Sequence, residues 1–161
     1  MSSQTQDVVS VVARVPAAAP EEAAAHFGAR LRYETDVSDV HADLSAGVPG
    51  VVVVDSRGDD AWRQGHLPGA VHLPTADIPR LAAERIPADV TVVVTYCWGP
   101  GCNGATRAAY ALARLGYPVK EMVGGYQYWV EEGLPVQTPV GLTTWPVNPL
   151  TAVADGASCD C

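Results

Sequence analysis

The residues best suited to do chemistry lie in the stretch YCWGPGCNGATRAA, residues 96–109, which holds the cysteines Cys97 and Cys102. Cys97 follows a β-branched run typical of a buried strand and precedes an alanine-rich stretch typical of a helix. Sites in open parallel sheets form at the carboxyl ends of the strands. Glycines let N–H groups turn toward one point, and inward N–H groups beside a helix N-terminus stabilise an anion.

This pattern predicts a Cys97 thiolate with a lowered pKa, acting as a nucleophile within a cradle of loop amides. The alternative is a buried structural cysteine that happens to precede a turn. The loop residues expected to bind substrate are Trp98, Gly99, Gly101, Cys102, Asn103 and Gly104.

Two chemistries use a strand, a cysteine, a glycine-rich loop and a helix in this order. Phosphatases and arsenate reductases need a loop arginine to clamp an oxyanion, but the first arginine after Cys97 is Arg107, already one turn into the predicted helix. Sulfur transfer needs only the thiolate, the amide cradle and room for one more sulfur atom. The loop therefore favours sulfur transfer.

The elements around this loop predict an α/β fold with a central parallel sheet and helices on both faces. VVVVD (51–55), AVHL (70–73) and TVVVTY (91–96) are typical of strands, and helical stretches alternate with them. The chain is expected to comprise a lead-in over residues 1–18, one domain over 19–136 and an irregular tail over 137–161 that ends in Cys-x-Cys.

The composition excludes several classes of protein. A formal charge of −8 without a cluster of lysines or arginines argues against binding to nucleic acid or an anionic membrane. No apolar run reaches the ~20 residues of a membrane span, and the N-terminus has no pattern of a signal peptide. We therefore expect a cytoplasmic protein whose four cysteines are reduced, without a metal or organic cofactor.

Four further stretches follow one another in a defined order: VVVVDSRGDDAW with Asp55 and Arg57, GHLPGAVHLP, VVVTYC with Cys97, and LGYPVKEMVGGYQYWVEEGLPV. Together they resemble the rhodanese-homology family, which carries its sulfur-bearing cysteine at the position of Cys97. They cover residues 50–136, and their ordered combination is highly specific. The resemblance implies a single rhodanese-like domain with sulfurtransferase activity through a Cys97 persulfide.

The implied donor is thiosulfate or a persulfide, and the implied acceptor is a thiol, cyanide or a protein. The loop departs from the common single-domain version, because CWGPGCNGAT is longer, lacks the usual loop arginine or lysine and adds Cys102. We expect such a loop to mark a subgroup that favours an organic persulfide or thiol donor over thiosulfate. The alternative function is a noncatalytic module that binds a partner or senses oxidants through Cys97 and Cys102.

The remaining candidate residues have a supporting or an open role. Asp55 is expected to make local hydrogen bonds, Arg57 to pair with an acidic neighbour and fix the loop, and His66 to act as a structural residue near a turn. Cys102 is either a neutral loop thiol or a resolving cysteine that takes sulfur from Cys97 or forms a reversible disulfide with it. Cys159 and Cys161 lie either in an inert tail or in a sulfur relay or metal site, although C-x-C is a poor chelate spacing.

Overall fold

The structure is a computed structural model that describes residues 10–153, and the chain divides into two compact units, Met1–Leu31 and Arg32–Cys161. The first unit contains a single 3₁₀ turn at Val12–Arg14 within its described part, and most of helix α1, Pro20–Tyr33. Glu21 and Glu22 lie in the first turn of α1, where carboxylates stabilise the helix dipole. No residue of α1 is buried.

The second unit holds the remaining strands and helices. In chain order they are β1 (Glu34–Thr35), α2 (Val37–Ala46), β2 (Val51–Asp55), α3 (Asp59–Gln64), β3 (Val71–His72), α4 (Ile78–Arg85), β4 (Val92–Tyr96), α5 (Gly104–Arg114), β5 (Val119–Met122), α6 (Gly125–Glu131), β6 (Val136–Thr138) and β7 (Gly141–Thr143).

Five strands form one parallel sheet in the order β1-β5-β4-β2-β3. The central pair is β2 and β4, in register from Val51 opposite Val92 to Asp55 opposite Tyr96. Both strands therefore end at the same edge, and both lead into loops that carry candidate site residues.

The alternation of side chains along β2 and β4 builds two cores. Val53 and Val94 face a core with α2 and α6 that includes Trp129, whereas Val54 and Val93 face a core with α4 and α5. Because both faces of the sheet are covered, both strands are continuous apolar runs. The predicted fold class, a parallel sheet with helices on both faces, is confirmed.

The chain after residue 136 is not wholly irregular, contrary to the sequence prediction. β6 and β7 pair antiparallel as a short hairpin, and the Thr138 hydroxyl donates a hydrogen bond of 2.9 Å to the Gly141 carbonyl across the turn. Val136 is fully buried, and the backbones of His66 and Gln137 exchange two hydrogen bonds. These tertiary contacts order a segment that lacks a clear local period.

Within residues 10–153, none of the helices combines the length and the apolar character that crossing a bilayer requires. Cys159, Cys161 and the end of the predicted tail lie outside the described residues.

Candidate active site

Cys97 is the first residue after the central strand β4, and the loop from Trp98 to Asn103 brings Cys102 back beside it. The two Sγ atoms lie 2.6 Å apart. The Cys102 N–H donates to the Gly99 carbonyl oxygen at 2.9 Å, and this hydrogen bond closes a turn that brings the chain back toward Cys97. The loop therefore places two thiols at one point, at the carboxyl edge of the sheet and before α5.

Gly104 lies where no larger residue fits beside this pair. A Cβ on Gly104 would lie 2.6 Å from Cys97 Sγ and 3.3 Å from Cys102 Sγ. The first residue of α5 thus approaches both sulfurs closely. The need for glycine here comes from space rather than from a left-handed backbone, since Gly104 has no positive φ.

A cavity of about 820 Å³ opens at the thiol pair. Only 6% of Cys97 is exposed, yet it lines this cavity together with the more accessible Cys102. The loop residues Gly99, Pro100, Gly101 and Asn103 form one wall. Asp36, Glu121 and Glu132 bring carboxylates to the lining, which contains no lysine, arginine or histidine.

These three acidic residues come from separate parts of the sheet and its helices. Asp36 is the N-cap of α2, Glu121 lies on β5, and Glu132 follows α6. Burial, and then the charge of Asp36, raises the pKa of Glu132. No local sequence signal links these positions, and the sequence prediction missed all three.

Helix α6 fixes the start of the loop. The N–H groups of Tyr126 and Gln127 donate to the carbonyls of Cys97 and Trp98, at 2.9 and 2.7 Å. Gly125 has φ of 62°, and a Cβ there would lie 2.7 Å from the Cys97 carbonyl oxygen and 2.9 Å from the Gly99 nitrogen. Its lack of a side chain lets helix and loop approach backbone to backbone.

The predicted cradle of inward loop amides is only partly present. The Gly104 N–H donates to Cys102 Sγ at 3.4 Å, and the backbone of Trp98 stabilises the anionic form of both sulfurs. The Cys102 N–H instead donates to the Gly99 carbonyl oxygen. The cradle thus serves the pair, with Cys102 at its centre, rather than Cys97 alone.

The prediction of a lowered Cys97 pKa is wrong. Burial, followed by the hydrogen bond with Cys102, raises the pKa of Cys97 to about 11, although the Trp98 backbone and Ser56 act in the opposite direction. The pKa of Cys102 is lowered, chiefly by the hydrogen bond from Cys97. Of the two sulfurs, the structure therefore favours the negative charge on Cys102, with Cys97 as the thiol that donates to it.

Asp55 and Arg57 form a buried ion pair beneath the loop. Arg57 Nη2 donates to Asp55 Oδ2 at 2.7 Å, and the pair is completed by the Arg57 Nε contacts with both carboxylate oxygens. The Tyr96 hydroxyl donates to Asp55 Oδ2 at 2.6 Å and accepts from the Leu67 N–H at 3.1 Å. This network ties the ends of β2 and β4 together just before Cys97.

The Arg57 guanidinium also contacts the faces of two aromatic rings. Its central carbon lies 4.5 Å from the Trp98 ring centre and 4.2 Å from the Tyr126 ring centre. Arg57 does not line the cavity, and its guanidinium packs against the Trp98 ring instead. Trp98 itself is 42% exposed at the loop surface.

His66 lies away from the thiol pair. Its Nδ1 is 3.0 Å from the Trp62 carbonyl oxygen, and its ring stacks on Trp62 with centroids 3.4 Å apart. These contacts hold the turn between α3 and β3, and His66 does not line the cavity. Among the described residues, no cluster of three or more histidine, cysteine or acidic side chains could hold a metal ion.

Comparison with known proteins agrees with this architecture. The family model of the rhodanese-like domain matches residues 36–132, more than half of the chain. The chain belongs to the rhodanese-like family. The match includes β2, β4, the Cys97 loop and α6, and therefore the whole rhodanese-like site described above.

Individual relatives of this rhodanese-like chain differ in their extent. A sulfurtransferase of Allochromatium vinosum is 37% identical over 97 residues, which are 60% of this chain and 87% of that protein. An HTH-type transcriptional regulator of Mycobacterium tuberculosis is 36% identical over 96 residues, or 56% of this chain, but the match spans only 40% of the regulator's length. Such a domain thus occurs both nearly alone and within a larger protein.

A solved structure shares the rhodanese-like fold. The BH2092 protein from Bacillus halodurans superimposes with a TM-score of 0.72 and 41% sequence identity, covering 76% of this chain and 89% of that one. That the extended loop CWGPGCNGAT marks a subgroup of the family stays a prediction.

Proposed function

We propose that this protein is a sulfurtransferase that carries a sulfane sulfur on Cys97. The observation that carries the proposal is the position of Cys97, at the end of the central strand of a rhodanese-like domain and on the wall of a cavity. The sulfurtransferase of Allochromatium vinosum, matched over 87% of its length, supports the same reaction class.

In the first half-reaction, Cys97 passes its proton to the adjacent Cys102 sulfur, 2.6 Å away, and attacks the outer sulfur of the donor. A bond forms between Cys97 Sγ and that sulfur, and the donor's S–S bond breaks. A thiolate leaves from an organic persulfide, or sulfite leaves from thiosulfate. In the second half-reaction, a thiol, cyanide or a protein acceptor attacks the terminal sulfur and restores the Cys97 thiolate.

The charges of the cavity favour an organic persulfide over thiosulfate. Three acidic residues line it and no basic side chain does, so a dianion meets repulsion there. The guanidinium of Arg57 lies against the loop residue Trp98, but it is neutralised by Asp55 and faces the rings of Trp98 and Tyr126. The proposed setting is the cytoplasm, where thiols remain reduced.

Intact mass measurement tests the proposed reaction. Both variants of this test also carry Cys159→Ala and Cys161→Ala, so that no tail cysteine can take up sulfur. The Cys102→Ala variant is incubated with an alkyl persulfide or with thiosulfate, and we expect it to gain the mass of one sulfur atom. The Cys97→Ser/Cys102→Ala double variant is the matched control and should gain none. Absence of any adduct with all donors, in protein shown to be folded, would refute sulfur transfer.

A second candidate is a redox-sensing module that uses the same two cysteines. The short distance between the sulfurs favours this function, because oxidation would join Cys97 and Cys102 with little movement. It predicts disulfide formation with peroxide and no uptake of sulfur from donors. The mass measurement described above therefore separates the two candidates.

A further inference from the structure

We propose that Cys102 attacks the inner sulfur of a Cys97 persulfide, forms a Cys97–Cys102 disulfide and releases the carried sulfur as hydrosulfide. This inference rests on the proposed function, since it requires a persulfide on Cys97. It adds a second outcome for the same intermediate, the reduction of a sulfane sulfur to sulfide. The substrates of that activity are a persulfide donor and a reducing thiol.

The geometry places the attacking atom beside the atom to be attacked. Cys102 Sγ lies 2.6 Å from Cys97 Sγ, which becomes the inner sulfur after loading. The turn from Gly99 to Cys102 and the anchoring of Cys97 by Tyr126 hold both residues in place. Little backbone movement is needed to close the bond, so the reaction competes with any acceptor that must diffuse in.

Cys102 has the environment of the attacking thiol. It is more exposed than Cys97 and receives the Gly104 N–H at the start of α5. Before loading, its pKa is lowered first by the hydrogen bond from Cys97; the backbone N–H groups of Gly104 and Trp98 and the charge of Arg107 also lower it, and they do not depend on a Cys97 proton. The loop has no arginine of the kind that phosphatases and arsenate reductases need, but the charge of Arg107 on α5 still lowers the pKa of this second sulfur.

The choice of sulfur follows from the two possible leaving groups. Attack on the outer sulfur would move it to Cys102 and expel the Cys97 thiolate, whose pKa is raised to about 11 by burial and by Cys102. Attack on the inner sulfur expels hydrosulfide, the conjugate base of a much stronger acid. Thiol–disulfide exchange is faster with the leaving group of lower pKa, so the inner sulfur is attacked.

The reaction balances without an external oxidant. The alkyl thiolate that leaves the donor first takes the proton that Cys102 accepted from Cys97. The Cys102 thiolate then forms a bond to Cys97 Sγ, the bond between Cys97 Sγ and the outer sulfur breaks, and the electron pair leaves with the outer sulfur as hydrosulfide. The sulfane sulfur is reduced to sulfide and the two cysteines are oxidised to a disulfide. Two equivalents of a small thiol, or one dithiol, then reduce the disulfide and reset the enzyme.

The test uses the 161-residue chain carrying Cys159→Ala and Cys161→Ala, so that Cys97 and Cys102 are the remaining cysteines. An alkyl persulfide with an isotopically labelled sulfane sulfur is added in stoichiometric amount without reductant. We expect the protein to become lighter by two hydrogen atoms and the label to appear in solution as sulfide. With Cys102→Ala added, the protein should instead retain the label as a stable persulfide.

The outcomes separate this inference from the proposed function. Label kept on protein that still contains Cys102 would overturn the inference but leave sulfur transfer intact. Failure of the Cys102→Ala protein to take up label would overturn sulfur transfer itself. A disulfide that forms equally fast in buffer without the persulfide would show simple air oxidation and overturn the inference, and the donor-free sample measures that rate.

Discussion

Cys97 and Cys102 titrate as one pair, because their sulfur atoms lie 2.6 Å apart and share a hydrogen bond. Burial disfavours a charge on Cys97, while the Gly104 N–H and the Cys97 thiol favour a charge on Cys102. At the residue scale, therefore, the first proton is lost from the more accessible sulfur. The deeper sulfur becomes nucleophilic once its proton is lost, to Cys102 or to solvent.

The rate of alkylation should show this order of titration. Near neutral pH, iodoacetamide should modify Cys102 well before Cys97, and the Cys97 rate should rise about tenfold per pH unit as pH approaches its pKa from below. Cys102→Ala removes two causes that raise the Cys97 pKa and should shift the Cys97 profile to lower pH. Peptide mapping by mass spectrometry across a pH series gives both rates, and a profile of Cys97 that does not move would contradict the coupling.

The buried ion pair should matter to stability much more than a surface pair does. Asp55→Asn leaves the Arg57 guanidinium buried without its counter-charge and should lower the free energy of unfolding by about 3–5 kcal/mol. Tyr96→Phe removes one hydrogen bond to Asp55 and should lower it by about 1–3 kcal/mol. Urea denaturation measures both, with Asp60→Asn in the exposed pair with Arg63 as a control expected to leave the midpoint unchanged.

At the scale of elements, the loop between β4 and α5 is held by α6 rather than by its own sequence. The first N–H groups of α6 bind the carbonyls of Cys97 and Trp98, and the stacked Trp98, Arg57 and Tyr126 side chains join the loops after β4 and β2 to that helix. Gly124 and Gly125, at the start of α6, lie in the stretch LGYPVKEMVGGYQYWVEEGLPV that carries part of the family resemblance. The physical reason for this glycine pair, close contact with the cysteine loop, depends on elements far apart in the chain.

Gly125→Ala should disturb the loop and the stability together. The substituted residue would keep a positive φ and place its Cβ within 3.0 Å of loop backbone, so we expect a loss of about 1–3 kcal/mol in the free energy of unfolding. Sulfur uptake by Cys97 should fall as well, because its carbonyl loses its anchor. Urea denaturation and intact mass measure the two effects.

Gly58→Ala is the matched control for this substitution. Gly58 has φ of −71° and nothing within 4 Å of its added Cβ. The stability and the sulfur uptake of the Gly58→Ala variant should stay close to those of the unmodified protein. Equal losses in the two variants would mean that close approach to the loop is not what Gly125 provides.

At the scale of the whole molecule, the net charge of −8 and the acidic cavity act in the same direction. Asp36, Glu121 and Glu132 converge on the cavity from β5 and from the ends of two helices. Anionic donors are repelled at long range and again inside the cavity. Donors that are neutral or carry an amine avoid this repulsion.

The effect of salt on kcat/KM for different donors should reveal this electrostatic repulsion. The kcat/KM for thiosulfate should rise with ionic strength as salt screens the repulsion, whereas that for an amine-bearing persulfide should fall. Glu132→Gln should raise kcat/KM for thiosulfate by a few fold, and Glu84→Gln, an exposed residue on α4 that does not line the cavity, should not. A preference for thiosulfate that persists at low salt would contradict the assignment of donor class.

Much of the fold and the position of the reactive loop could be predicted from the sequence. The runs VVVVD and VVVTY predict buried parallel strands, because both of their faces are apolar, and the strand ends fix where Asp55, Arg57 and Cys97 emerge. Those signals are local, since they depend only on the period of side chains along one strand. The hairpin of β6 and β7 escaped prediction because Val136 and Gln137 gain their order from contacts with the core and with His66.

The sequence alone determined that a cysteine follows the central strand, before a glycine-rich loop and a helix. Only the tertiary structure decided that Cys102 folds back onto Cys97, that burial raises the Cys97 pKa and that the cavity at the pair is acidic. The physical reason is that burial and electrostatics depend on distances in space. Asp36, Cys97 and Glu132 belong to separate elements, and no period or spacing along the chain records how far apart they lie.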